Sequence, residues 1–301
     1  MLDIEGPLRP LRVKKDDEEE TPYVVKDAAL TNAALQAVRS VGTKTEALSL
    51  LLPPDGVSTE ADAAELLSSF PNLKRLEINS LVTLDDEKIK AEDRSALFSA
   101  FSSLSKLEEL DLGQSSFVID DFAALPLSFP LTHLALGEYL DLSFPSFITL
   151  VERFSETLES LELDDSPRDA FEDETTVHIG KVLNLPKLVA LEVATPHKTK
   201  FLDAFAKSPL KEIFFGDCPQ FKAADVVAFL EAHMDTLVDV DMEEGGIPDE
   251  EREGGEAASA EEVISAWCEK NGKNFAIMPV SLEGFSEDSD TEEDDEEKEK
   301  I

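Results

Sequence analysis

The chain has 301 residues, 42% of them hydrophobic, with 66 acidic side chains against 27 basic ones and a net charge of −39. A surface so negative repels phosphate backbones and anionic headgroups, which excludes nucleic acid and membranes as expected partners and makes a monomer the default. Two cysteines, Cys218 and Cys268, cannot build a disulfide framework, and no apolar run reaches the roughly 20 residues of a bilayer span, so an intracellular protein, cytoplasmic or nuclear, is expected.

Residues 1–22 read as a charged, flexible N-terminal arm. Asp16 to Glu20 is an unbroken acidic run, and Met1 to Pro7 holds no hydrophobic segment of the signal-peptide kind. The basic set Arg9, Arg12, Lys14 and Lys15 reads as part of that solvated arm rather than as an import signal. Residues 23–44 read as an N-terminal cap, with an extended Tyr23-Val24-Val25 and an amphipathic Ala29 to Val38 that lines Leu30, Ala34 and Leu35 along one face.

From 45 to 242 the chain repeats a six-residue template, apolar-x-x-apolar-x-apolar. The copies begin at Thr45, Leu73, Leu107, Leu131, Leu158, Leu188, Leu210 and Leu237, at intervals of 22 to 34 residues. In a short strand the fourth and sixth positions point one way and the fifth the other, so pairs such as Leu76/Ile78 and Leu161/Leu163 face a core. Between copies lie apolar residues at helical spacing: Ala64, Leu67 and Phe70; Leu97, Phe98, Phe101 and Leu104; Val226, Val227, Phe229 and Leu230. Prolines close several of these segments (Pro71, Pro130, Pro186, Pro209), stopping the helix and extending the chain into the next strand. A strand buried on both faces would carry an apolar residue at position five. That column reads Ser49, Glu77, Asp111, Ala135, Glu162, Glu192, Phe214 and Asp241, five acids in eight, which predicts a sheet with one open face.

Residues 243–257 combine Gly, Pro and acids and read as a loop; 258–285 read as a capping helix (Ala260 to Glu269) and a last, worn strand copy at Phe275 to Val280. The terminal run 286–301 carries ten acids and two lysines and leaves −31 of the charge on the rest of the chain. With Ile301 its only large apolar residue, it cannot bury enough area to fold, so a disordered acidic tail is expected. Ser289 and Thr291, each with an acid three residues on (Glu292 and Asp294), are candidate phosphorylation sites for an acid-directed kinase.

No chemistry-bearing constellation appears. His133, His178, His197 and His233 stand at no metal-ligand spacing, the acidic runs lack a calcium loop, and no nucleotide-binding glycine motif is present. No catalytic, cofactor-binding or metal-binding residue is therefore assigned, and an enzyme is not expected. The open face is more telling. Its 40 template positions hold 17 acids and three bases (Lys74, Arg75, Lys211), where a surface of average composition for this chain would show about seven bases. A basic protein partner is expected there, touching Glu77, Glu108, Asp111, His133, Glu159, Glu162, Glu192, Phe214, Asp239 and Asp241.

The template and its spacing resemble the leucine-rich repeats of the ribonuclease-inhibitor-like superfamily. The ninth template column (Pro53, Leu81, Ser115, Tyr139, Ser166, Pro196, Cys218, Gly245) holds no Asn, unlike the Ran GTPase-activating repeats. The copy Leu210 to His233, with Cys218 in the diagnostic column, is most similar to the cysteine-containing repeats of fungal F-box leucine-rich proteins, although Met1 to Gly42 shows no recognisable F-box. The resemblance implies an α/β fold: a curved solenoid with a parallel concave sheet and a helical convex side. It also implies a protein-interaction scaffold, with two alternatives: the substrate-recognition subunit of an F-box-type ubiquitin ligase, or an acidic, histone-chaperone-like protein.

Overall fold

The computed structural model describes residues 2–4, 10–13, 23–24, 44–52, 64–80 without 66, 91–113, 120–137, 142–164, 181–249 and 258–279. Nine strands follow one another in the order of the chain: β4 (Ala47–Leu52), β5 (Arg75–Ser80), β6 (Glu109–Leu112), β7 (His133–Leu136), β8 (Ser160–Asp164), β9 (Ala190–Ala194), β10 (Glu212–Phe215), β11 (Asp239–Glu243) and β12 (Asn274–Met278). Each pairs in parallel with the next, and the sheet does not close. Leu76 and Leu134 thus lie in one parallel sheet, as the template requires. Between the strands run α1 (Ala91–Ser103), α2 (Asp120–Ala123), α3 (Phe144–Arg153), a 3-10 helix (Thr199–Phe205), α4 (Ala223–Ala232) and α5 (Ala260–Asn271).

The register makes columns of the template. Position four stacks Leu48, Leu76, Leu110, Leu134, Leu161, Leu191, Ile213 and Val240, every one buried. Position six stacks Ile78, Leu112, Leu136, Leu163, Val193, Phe215 and Met242, all at 0% exposure. Position one supplies a third buried column, Leu73 through Leu237, each anchored by a turn in which its N–H donates to a carbonyl three residues back (Leu73, Leu107, Leu188), two back (Leu131, Leu210) or four back (Leu158, Leu237). Each such side chain contributes about 1.5–3 kcal/mol of burial.

The helices supply the other half of a single core, largely with phenylalanine. Phe122 meets Phe98 and Phe101 edge-on, Phe201 joins Phe144 and Phe147 to Phe205, and Phe129 stacks on Phe154 at 5.3 Å. Helix α5 shows why it begins and ends where it does. Ser259 Oγ accepts from the Glu262 N–H at 3.1 Å, and Glu262 Oε2 accepts from the Ser259 N–H at 3.0 Å. At the other end Gly272 takes the left-handed conformation, φ 66°, that side chains resist.

Three features differ from the sequence reading. Residues 1–22 contain β1 (Leu2–Ile4), parallel to β4, and β2 (Pro10–Val13), antiparallel to β1, with β3 (Tyr23–Val24) beyond it. The flexible arm read there thus pairs in part, since Leu2-Asp3-Ile4 and Leu11-Arg12-Val13 carry the period-two alternation of strands. The last copy is shifted by three residues. Phe275 pairs with Val240 at position four and Ile277 with Met242 at position six, because Gly272 occupies position one. Thirdly, the 3-10 helix at Thr199–Phe205 has no capping signal in the sequence. The amphipathic Ala29 to Val38, His178, the loop beyond Asp249, the tail 286–301 and its Ser289 and Thr291 lie outside the described residues.

Candidate protein-binding face

Alternation leaves positions three, five and seven of each strand on the face away from the helices. Backbone pairing sets Ser49, Glu77, Asp111, Ala135, Glu162, Glu192, Phe214, Asp241 and Ala276 side by side in one row across the sheet. Neighbours in such a row stand about 4.8 Å apart at the backbone. Glu77 beside Asp111 and Glu162 beside Glu192 are therefore like charges in direct juxtaposition, an unfavourable arrangement in a sheet. The parallel row at position three holds Arg75, Glu109, His133, Ser160, Ala190, Glu212, Asp239 and Asn274.

Electrostatics record the crowding. Burial, then the Glu77 and Glu162 carboxylates, push the Asp111 carboxyl up to about 6 against the opposing Gly113 N–H and Arg75 guanidinium. Glu162 is raised by burial and then by Glu192 and Asp164; Glu192 by burial and then Asp164; Asp241 by burial and then Asp239. Each prefers its proton more than an isolated carboxyl does, so each holds its charge at a cost.

Arg75, the one lysine or arginine in the position-three row, sits at one end of the face and is already engaged, as is Lys74 just ahead of its strand, while Lys211 stands exposed ahead of β10. Lys74 Nζ pairs with Glu46 Oε2 at 3.0 Å, and Arg75 Nε pairs with Glu109 Oε2 at 3.0 Å, both at exposed positions. Two hollows open on the face. One, of about 170 Å³, spans β5 to β8 around Arg75, Glu77, Glu109, Asp111, His133 and Glu162. The other, of about 250 Å³, spans β8 to β11 around Glu162, Glu192, Glu212, Phe214, Asp239 and Asp241.

Of the ten residues expected to touch a partner, eight line these hollows: Glu77, Asp111, His133, Glu162, Glu192, Phe214, Asp239 and Asp241. Glu108 and Glu159 do not. They sit exposed at position two, ahead of their strands, where backbone alternation no longer turns side chains onto the sheet face. Arg75, Glu109 and Glu212, all at position three, complete the hollows instead. His133 is exposed, its Nδ1 2.8 Å from Thr132 Oγ1.

The remaining chemistry is buried. Cys218 is 0% exposed, its Sγ donates to the Val193 carbonyl at 3.3 Å, and burial pushes the thiol up to about 12. Burial likewise pushes Cys268 up to about 11. Neither thiol is ionised at neutral pH. His233, buried at the end of α4, packs edge-on against Phe229 at 4.6 Å and is held below the usual imidazole range by desolvation. Among the described residues no group of three or more His, Cys, Asp or Glu is placed to hold a metal ion, and no helix is long and apolar enough to cross a membrane. No family model matches the chain, and no curated protein matches it.

Proposed function

We propose that the chain is a leucine-rich repeat solenoid whose curved, acidic sheet face is a non-catalytic docking surface for a basic protein. One strand per repeat, laid down in chain order with a helix or turn over the far face, supports the solenoid. The observation that carries the function is the row of mutually repelling carboxylates at position five. It weakens the free protein, and a partner that brings cations into the row relieves the repulsion on binding. Cation-bearing partners thereby gain twice, from attraction and from the removal of a destabilising contact.

The experiment is a salt titration of affinity for a basic protein captured by the full chain and purified. Affinity should fall steeply from low to physiological salt, where charges are screened over about 8–10 Å. Joint reversal of Asp111, Glu162 and Asp241 should weaken it far more than reversal of Glu152, Glu231 and Glu269 on the helices. Indifference to both would point to apolar recognition. Burial of Cys218 in its diagnostic column favours the cysteine-containing repeat and, with it, a second reading as the substrate-recognition part of an F-box-type ubiquitin ligase. Reconstitution with a ligase adaptor tests that reading, since a recognition subunit must bind the adaptor.

A further inference from the structure

We propose that the hollow around Phe214 anchors the partner by taking a single arginine side chain, its guanidinium stacked on the Phe214 ring between the carboxylates of Glu192 and Asp241. The inference rests on the reading of the open face as a docking surface for a basic protein, and it names the place and the chemistry of the grip.

Three observations on one sheet face converge there. The first is charge. The hollow is lined by five carboxylates (Glu162, Glu192, Glu212, Asp239, Asp241) and by no Lys, Arg or His, whereas its neighbour contains Arg75, paired with Glu109, and His133. An incoming cation therefore meets uncompensated charge between β8 and β11 and partly neutralised charge between β5 and β7. The second is the aromatic ring. Phe214 is the single large apolar side chain in its row, half-buried, and flanked in register by Glu192 on one side and Asp241 on the other. The third is room. A Cβ built on Gly216 would lie 3.5 Å from Phe214 Cε1 and 2.8 Å from Ala194 Cβ, so the ring leans over a floor of the smallest side chains. The space of about 250 Å³ beside it admits one long side chain.

These features select arginine over the other cations. A metal ion needs three or more converging ligands, and none converge among the described residues. An ammonium is compact and strongly hydrated, and gains little from a flat ring. A guanidinium is planar and weakly hydrated, stacks on aromatic faces and pairs with carboxylates at its edges.

The test uses fluorescein-labelled hepta-arginine and hepta-lysine peptides titrated into the full chain at physiological salt, followed by anisotropy. Hepta-arginine should bind more tightly than hepta-lysine. Phe214→Ala, which alters no charge, should weaken the arginine peptide about threefold to tenfold and abolish the preference over lysine. Phe214→Tyr should retain it. The pair Glu192→Gln with Asp241→Asn should weaken both peptides, while Glu77→Gln with Asp111→Asn in the other hollow should do so much less. The segment 286–301 contributes equally to every variant, and thermal melts confirm that each is folded. If both peptides bind and respond to the neutralised face equally at either hollow, with Phe214→Ala silent, the docking surface stands and the Phe214 anchor is overturned. If neither peptide responds to any change on the face, the docking surface falls with it.

Discussion

Neutralising Asp111 should stabilise this protein at neutral pH, the opposite of the usual result for a partly buried polar residue. In the fold its carboxyl is raised to about 6 from an unfolded value of 3.8, chiefly by burial and then by Glu77 and Glu162. The folded chain therefore binds more protons than the unfolded chain across that window. The contribution to stability is complete below 3.8 and is lost as pH rises through about 6. Each pKa unit is worth about 1.4 kcal/mol, so a shift of roughly two amounts to at most about 3 kcal/mol. Asp111 is not fully enclosed, and screening by solvent reduces this to about 1–2 kcal/mol. Asp111→Asn keeps the size and an oxygen to accept from Gly113 while removing the charge. Denaturant unfolding at pH 8 should show the variant more stable by that amount, equivalent to a melting rise of roughly 2–6 °C. The difference should shrink towards zero as both proteins are taken down to pH 4. A variant less stable than the parent at pH 8, or a gap independent of pH, would refute the assignment of Asp111 to a crowded carboxylate row.

Leu161→Ala should cost about 2–5 kcal/mol in the same assay, because Leu161 is fully enclosed in the core, whereas its neighbour Glu162→Gln should be neutral or stabilising. His233→Leu should remove a loss of stability that sets in as pH falls below about 6.5, since the buried imidazole resists protonation and Nε2 has no partner. Gly137→Ala should cost about 1–3 kcal/mol, because its Cβ would meet the Gly113 backbone at 2.8 Å and force that backbone to shift. An acid-directed kinase should phosphorylate Ser289 and Thr291, read by intact mass; if the tail also gathers basic ligands, deletion of 286–301 should flatten the salt dependence of partner binding.

The core columns were legible because one apolar identity recurs at positions one, four and six, and a parallel ladder can bury that pattern only in a single register. The open face was legible for the converse reason: acids at position five cannot enter a two-sided core. What escaped the sequence depended on local backbone. The register of the last strand escaped because a left-handed glycine, Gly272, stands where seven of the other copies place leucine. Glu108 and Glu159 look equivalent to Asp111 and Glu162 in the template, yet position two precedes the strand and the alternation does not reach it. Conversely, Arg75 and Glu109 are simply opposite charges in sequence. Only strand pairing shows that they neutralise one another and leave the uncompensated charge around Phe214.

The most direct test of the open face as a basic-protein docking surface is to find which carboxylates touch the partner. Zero-length carbodiimide cross-linking joins a carboxylate to a lysine in contact with it, and peptide mass mapping of the complex with a purified basic partner locates each link. Lysines flanking the anchored arginine should give links to carboxylates of the sheet face, among Glu77, Glu109, Asp111, Glu162, Glu212 and Asp239, and these should disappear at high salt. Links gathered instead on Glu152, Glu231 and Glu269, across the helices, would show that the sheet face is not the binding surface.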